Sequence, residues 1–535
     1  MIQNIFQLMN QFFLIASLWQ LIGRLQIQTK LDIKYPSRVG AIIGSANLHS
    51  HFIDFRLFNE ILTQLVGDLN RVIQINRIGQ RDPQPNIVFF LVDDLGWTDI
   101  EPFGTSFYET PNIKKLAEES MIFTNAYAAC PVCSPTRASI LTGKYPVGTG
   151  ITDFIEAERT QPVKWSRNTP LIPPLNKDRL SLDEFTLAEA LKTAGYKTCF
   201  AGKWHLGPES YWPANQGFDF NFGGHNVGQP KSYFSPYKNP RLSDGPVGEH
   251  LPDRLAKETS SFIADNKEHP FFVYFSFYSV HTPLKARQDL IDKYEEKKNR
   301  LDLKDSFSKE GERKLRIVQS NTTYAAMVEA MDQAIGKVIH KLKEQGVYDN
   351  TIIIFFSDNG GLSTSEGHPT ANLPLRAGKG WLYEGGIREP LIIKWPGITR
   401  AGSVSQVPVI SNDFYPTLLQ AAGLPLYPKQ HTGGVNIVPL LMSKKIKYRA
   451  LYWHYPHYGN QGGSPGAAIR EGDWKLIRWY ETGKEELYNL KQDIGEMNNL
   501  VAKDAKMAQK LSLKLDVWLK NEKAVFPEKN PNYVK

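Results

Sequence analysis

Two acidic segments stand where apolar runs stop. Asn86-Ile-Val-Phe-Phe-Leu-Val92 is followed directly by Asp93-Asp94, and Thr351-Ile-Ile-Ile-Phe-Phe-Ser357 by Asp358-Asn359. Three carboxylates and one amide are hard oxygen donors, the kind that hold Ca²⁺ or Mg²⁺. A single Asp-Asp pair more often caps a turn or a helix; two matched pairs after two similar runs reverse that preference. Between them lies Cys130-Pro-Val-Cys133-Ser-Pro135-Thr-Arg137, leading into Ala138-Ser-Ile-Leu-Thr142-Gly143. The C-x-x-C spacing fits a redox pair or half of a zinc site. With only Cys130, Cys133 and Cys199 in the chain, no second pair exists to complete a zinc site, and the redox reading lacks a thioredoxin-like context. Pro135 suits the first position of a helix, which puts Cys133 just before a helix N-terminus, where backbone N–H groups and the dipole favour an anion. A nucleophile and an oxyanion could share that place.

The elements that must position these groups are legible in outline. The run Asn86–Val92 is continuous, apolar and of strand length, as a buried parallel strand requires. Similar runs recur at Tyr196–Phe200, Phe271–Phe277, Thr351–Phe356 and Leu391–Trp395, separated by helix-like segments such as Thr186–Ala194 and Thr322–Gln345. That alternation predicts an α/β sheet flanked by helices, whose ligands bind beyond the carboxyl ends of the strands. After about Ile437 the segments shorten to Arg449–His454, Ala467–Arg470, Trp474–Trp479 and Leu487–Leu490, followed by an amphipathic stretch over about 504–519. These predict a small antiparallel sheet with one helix.

The string Cys133-x-Pro135-x-Arg137 with Thr142-Gly143 resembles the signature of the type I, formylglycine-dependent sulfatases of the alkaline phosphatase superfamily. The resemblance runs from about Asn86 to at least Leu500. It implies an alkaline-phosphatase-like, mostly parallel central sheet flanked by helices over 85–437. A smaller C-terminal α+β domain with an antiparallel sheet follows over 438–535, and 1–84 is left as an N-terminal extension. It also implies site residues, motif by motif. Asp93, Asp94, Asp358 and Asn359, together with the modified Cys133, match the ligands of one Ca²⁺ per chain, with Mg²⁺ the second choice. Lys203 and His205, in Ala201-Gly-Lys-Trp-His-Leu-Gly207, match a Lys-x-His element; His281, in Ser279-Val-His-Thr-Pro283, and Lys379, in Arg376-Ala-Gly-Lys-Gly-Trp381, match two further polar positions. Taken singly, the lysines could be solvated and the histidines structural; it is their joint occurrence in family order that argues for a catalytic assembly. The Gly-Gly of Tyr383-Glu-Gly-Gly-Ile-Arg-Glu-Pro390 is expected to permit a tight turn.

A sulfate monoester is an anion whose cleavage puts charge on the equatorial oxygens and on the leaving alkoxide, so its site needs concentrated positive charge and a proton donor. On the resemblance, the cation, Arg137, Lys203 and Lys379 supply the charge, and His281, assisted by Lys379, protonates the leaving oxygen. The resemblance also implies that Cys133 is converted to formylglycine by a maturation enzyme. Its hydrate carries one hydroxyl to attack sulfur and a second, deprotonated by His205, to expel sulfate. The implied substrate is a sulfated carbohydrate or another sulfate ester. Within enzymes the alternative is a phosphatase or phosphonate monoester hydrolase of the same superfamily, and outside them a catalytically silent carbohydrate-binding relative. The aromatic segment Trp453-His-Tyr-Pro-His-Tyr458 could hold a sugar ring or pack a domain interface.

The bulk composition constrains less. A chain of 535 residues suggests more than one domain. The net charge of +8 comes from 63 basic and 55 acidic residues spread along the whole chain, without the basic clusters of a nucleic-acid binder. The apolar stretch Phe12–Ile22 is shorter than the about 20 residues that span a bilayer, so no stable membrane span is expected. No Lys or Arg precedes it, as a secretory signal would require, although the resemblance implies a secreted or periplasmic protein.

Overall fold

The computed structural model describes residues 84–155 and 165–534. The segment Phe12–Ile22 and nearly all of the expected extension over 1–84 lie outside the described residues. Strands β1 (Asn86–Val92), β2 (Met121–Tyr127), β3 (Lys197–Gly202), β4 (Phe220–Phe222), β5 (Phe271–Ser276), β6 (Thr351–Ser357), β7 (Arg388–Lys394), β8 (Ser403–Ser405) and β9 (Val409–Ile410) form one sheet in the order β8-β2-β7-β6-β1-β5-β3-β4, with β9 also paired to β2. The neighbours β6, β1, β5, β3 and β4 run parallel, and β7 is antiparallel to both β6 and β2.

The central strand shows why its sequence is apolar throughout. Val88, Phe90 and Val92 enter one core layer, with helices α3 (Leu251–Asn266) and α4 (Thr322–Glu344). Ile87, Phe89 and Leu91 enter the other, with α1 (Cys133–Thr142) and α2 (Leu187–Thr193). Side chains alternate across a strand, so one covered on both faces has no polar position to show. Local signals start the helices. Thr186 and Glu189 form a reciprocal capping box before α2, and the Asn321 side chain accepts the Tyr324 N–H at 2.9 Å before α4.

Strand β2 is absent from the sequence-level expectation. Its Thr124-Asn125 interrupts the apolar pattern, and it is the antiparallel ladder with β7 that makes it a strand. The C-terminal part follows the expectation closely: β10 (Ala450–Tyr455), β11 (Gly466–Glu471), β12 (Trp474–Trp479) and β13 (Glu485–Asn489) make an antiparallel sheet, covered by α5 (Ala505–Asn521) through Leu511, Leu515 and Trp518. The aromatic segment on β10 takes the packing role. Trp453 is buried and donates from Nε1 to the Ala128 carbonyl at 2.8 Å, while His454 lies between the Tyr480 hydroxyl at 2.7 Å and the Val525 carbonyl at 3.0 Å.

Candidate active site

Adjacent parallel strands bring the two acidic segments together. Val92 pairs with Ser357, so Asp93-Asp94 and Asp358-Asn359 leave the sheet side by side at its carboxyl edge. Asp94 has a left-handed backbone (φ 60°), a conformation costly for a non-glycine residue that turns the chain just beyond β1. Its N–H donates to Asp358 Oδ1 at 3.3 Å, and Asn359 Nδ2 donates to Asp94 Oδ1 at 2.8 Å. Asp93, Asp94 and Asp358 each offer a carboxylate oxygen within 4.8 Å of the others. All four side chains are buried, yet Asp93 Oδ1 and Asn359 Oδ1 have no hydrogen-bond partner. Buried acceptors left open in a group of three carboxylates fit a hard divalent cation, for which every donor is of the right type. Burial pushes the Asp93 carboxyl up to about 8, against the pull of Lys203. Burial acts the same way on Asp94, but Lys379, His281 and Lys203 outweigh it and hold that carboxyl well below the usual range.

Three cations ring the cluster. Lys203 Nζ lies 2.6 Å from Asp93 Oδ2, and Lys379 Nζ 2.6 Å from Asp94 Oδ1. Arg137 donates from Nε to Asp358 Oδ2 at 2.8 Å, and from Nη1 to the Lys203 carbonyl at 2.9 Å and Ser276 Oγ at 2.5 Å. Ser276 also donates to the Lys203 carbonyl at 2.7 Å, which fixes the Arg137 fork. It is a positioning residue that the sequence reading passed over, although it closes an apolar strand as the two acidic segments do.

Cys133 is the first residue of α1, with Val132 as its cap, so Pro135 sits third in the first turn. The expectation of Cys133 just outside the helix is corrected by two positions. Proline is tolerated there because the first-turn N–H groups have no intrahelical acceptor. The residue still lies at the electropositive end, with Arg137 one turn on along the same face. Its Sγ is 3.4 Å from His205 Nδ1. His205 Nε2 lies 2.9 Å from the Ile155 carbonyl, which can only accept, so Nε2 carries the hydrogen and Nδ1 of the neutral ring is a free acceptor facing Cys133. Burial, with Lys203 close by, keeps the His205 ring neutral well below its ordinary pKa. The redox reading finds no support in the geometry: both thiols are free and buried, and burial raises both pKa values instead of producing a reactive thiolate.

His281 Nε2 is 3.5 Å from Asp94 Oδ2, and its Nδ1 is 2.7 Å from the Thr282 carbonyl, so Nε2 is the nitrogen that exchanges a proton. Burial lowers this ring to about 4, with Asp94 pulling the other way. Every residue expected at the site is therefore in one cluster. The paired glycines are there for a different reason than a turn: neither Gly385 nor Gly386 has positive φ. A Cβ on Gly386 would lie 2.1 Å from the Trp381 carbonyl oxygen, and one on Gly385 2.3 Å from that of Arg376. They let the segment carrying Lys379 cross directly over the chain before β7. The C-terminal part reaches the rim as well, where Gln461 Nε2 donates to Glu366 at 2.9 Å and Glu366 accepts the Thr282 hydroxyl at 3.2 Å.

Residues 85–424 match the sulfatase family, and residues 377–523 match the family described as N-sulphoglucosamine sulphohydrolase, C-terminal. A sulfatase of Formosa agariphila is 33% identical over 82% of this chain and 89% of its own length. Human N-acetylgalactosamine-6-sulfatase is 31% identical over 70% of this chain and 69% of its own. The crystal structure of Ps i-CgsB in complex with k-i-k-neocarrahexaose superposes with a TM-score of 0.67 at 29% identity, covering 83% of this chain and 95% of that one.

Proposed function

Because the chain belongs to the sulfatase family of sulfuric ester hydrolases and has its alkaline-phosphatase-like fold, we propose that it hydrolyses a sulfate monoester on a sulfated carbohydrate. The observation that carries this reading is Cys133 at a helix N-terminus, 3.4 Å from the acceptor nitrogen of His205 and beside the carboxylate cluster. In place of the thiol, formylglycine supplies as its hydrate one hydroxyl to attack sulfur and a second to expel sulfate afterwards. Asp93, Asp94, Asp358, Asn359 and the modified Cys133 would hold a single Ca²⁺, with Mg²⁺ the second choice, and that cation would supply positive charge to the sulfate ester.

The chain's own residues do the rest. His205 accepts a proton at Nδ1 from a hydroxyl at position 133, while its Nε2 hydrogen remains on the Ile155 carbonyl. Arg137 and Lys203 hold that hydroxyl and the carboxylates in register, and Lys379 adds charge toward the leaving oxygen. His281 must be protonated at Nε2 before it can act as the acid. An anionic ester beside it favours that form, against the burial that lowers its pKa in the free site. Export to the periplasm or cell exterior and an encounter with a formylglycine-generating enzyme belong to the same proposal, on the family resemblance.

Mass spectrometry of the peptide spanning Cys133 tests it: an aldehyde in place of the thiol is expected in active protein, and an unmodified or Cys130-linked cysteine there sinks the reading. Paired 4-nitrophenyl sulfate and phosphate assays should show turnover of the sulfate in preference to the phosphate.

A further inference from the structure

Glu366 lies in the chain between β6 and β7, on a left-handed backbone (φ 52°) that is costly for a non-glycine residue and persists only where its surroundings impose it. Its two carboxylate oxygens face different parts of the protein. Oε1 accepts Gln461 Nε2 at 2.9 Å and Asn460 Nδ2 at 3.2 Å, both from the loop between β10 and β11 of the C-terminal sheet. Oε2 accepts the Thr282 hydroxyl at 3.2 Å. That hydroxyl spends its only hydrogen on Glu366, so its oxygen is an acceptor 3.4 Å from His281 Nδ1, whose hydrogen it shares with the Thr282 carbonyl at 2.7 Å. A line of hydrogen bonds thus runs from the C-terminal loop to the ring nitrogen opposite His281 Nε2.

The far end of that line is fixed. Gln461 is 2% exposed, and its carbonyl accepts the Thr364 hydroxyl at 2.9 Å and Trp381 Nε1 at 3.2 Å. Two residues on, a Cβ at Gly463 would lie 1.7 Å from the Gly380 carbonyl oxygen, so the same loop rests against the residue that follows Lys379. The main chain of His281 is held separately, by the Tyr233 hydroxyl, which donates to its carbonyl at 2.9 Å. A proton donor acts only within hydrogen-bond reach and in line, and a displacement of about 1 Å costs about a hundredfold in rate. We propose that Glu366 is a positioning residue for leaving-group protonation: through the Thr282 hydroxyl it sets the His281 ring with Nε2 toward the reacting centre, and it takes its own position from Gln461. This rests on the reading of His281 as the acid.

A proton donor matters most when the leaving group is poor, so the test compares 4-methoxyphenyl sulfate, with a poor leaving group, and 4-nitrophenyl sulfate, with a good one. In the mature protein Glu366→Ala should lower kcat about tenfold on the first and no more than about twofold on the second, with KM nearly unchanged on both. Thr282→Val, which cuts the same link without touching the C-terminal loop, should show the same split. Glu366→Gln should restore turnover of the methoxy ester to within about twofold of wild type, because Gln461 Oε1 has no partner and its amide can turn to accept from the new one. Equal losses on the two esters, no loss on either, or a glutamine variant as impaired as the alanine one overturns the positioning role. Proton NMR reads it without turnover: the Nδ1–H signal of His281, identified by its loss in His281→Ala, should persist in Glu366→Gln and exchange away in Glu366→Ala, and its persistence in the alanine variant counts against the proposal. His281→Ala also tests the premise, since it should split the two esters more widely than Glu366→Ala. If it does not split them, the acid assignment falls; if it does and Glu366→Ala does not, only the role of Glu366 falls.

Discussion

Two buried ionic clusters among the described residues differ in one respect. At the interface of the two sheets, Lys475 of β12 is enclosed between Glu384, at 3.0 Å, and Glu496, at 2.8 Å, with all three side chains fully buried. The remaining oxygens are also taken: Glu384 accepts the Tyr127 hydroxyl at 2.7 Å, and Glu496 accepts the Glu384 N–H at 2.6 Å. Around Asp93, Asp94 and Asp358 the charges are as deeply buried, but Asp93 Oδ1 is met by Arg137 Nη2 only at 3.5 Å and Asn359 Oδ1 has no hydrogen bond, whereas Glu496 Oε1, also without a hydrogen bond, is held by its ion pair to Lys475 at 2.8 Å. A structural cluster closes on itself because an unmet buried charge costs several kcal/mol. A cluster that tolerates open acceptors is built to be completed by something else.

The widest separation between the two should come from Cys133→Ala, which ought to lower kcat on an aryl sulfate by about four orders of magnitude while leaving the thermal midpoint nearly unchanged. A comparable loss of stability would mean that the site, too, is mainly structural. Lys475→Met tests the other cluster: it leaves Glu384 and Glu496 uncompensated and should cost about 3–5 kcal/mol in a denaturant titration. Removing cations with a chelator should lower the midpoint and abolish turnover, with both restored by Ca²⁺ better than by Mg²⁺. A ligand at a hundred times its dissociation constant stabilises by about 2.7 kcal/mol. If Lys475→Met protein showed the same chelator sensitivity as wild type, the two clusters would be energetically separate. A further contrast lies in pH. Burial, with Glu384 adding to it against Lys475, pushes the Glu496 carboxyl up to about 7. The folded state therefore binds a proton that the unfolded chain, with a carboxyl near its ordinary value, has released. Stability should fall as pH rises from about 4.5 to 7, and Glu496→Gln should flatten that part of the profile of midpoint against pH.

Much of the site was legible because its residues sit where local patterns break. The acids after β1 and β6 end apolar runs, and Cys133, Pro135 and Arg137 lie within one helical turn of each other, so spacing alone placed them on one element. Ser276 and Glu366 were not legible, since a serine and a glutamate are ordinary residues until a guanidinium or a threonine hydroxyl is seen beside them. Strand β2 was missed because its polar pair hides the alternation that the neighbouring β7 enforces.

The sequence by itself determined the kinds of element, the order of the motifs and the chemistry that their side chains could perform, because those depend on periodicity and on groups a few residues apart. Only the tertiary structure decided which polar atoms are satisfied. Asn359 lies 265 residues from the Asp94 carboxylate to which it donates, and His205 lies 72 from Cys133. Which oxygen stays open for a cation, and which ring nitrogen keeps its lone pair, are set by partners that only packing brings within 3–4 Å.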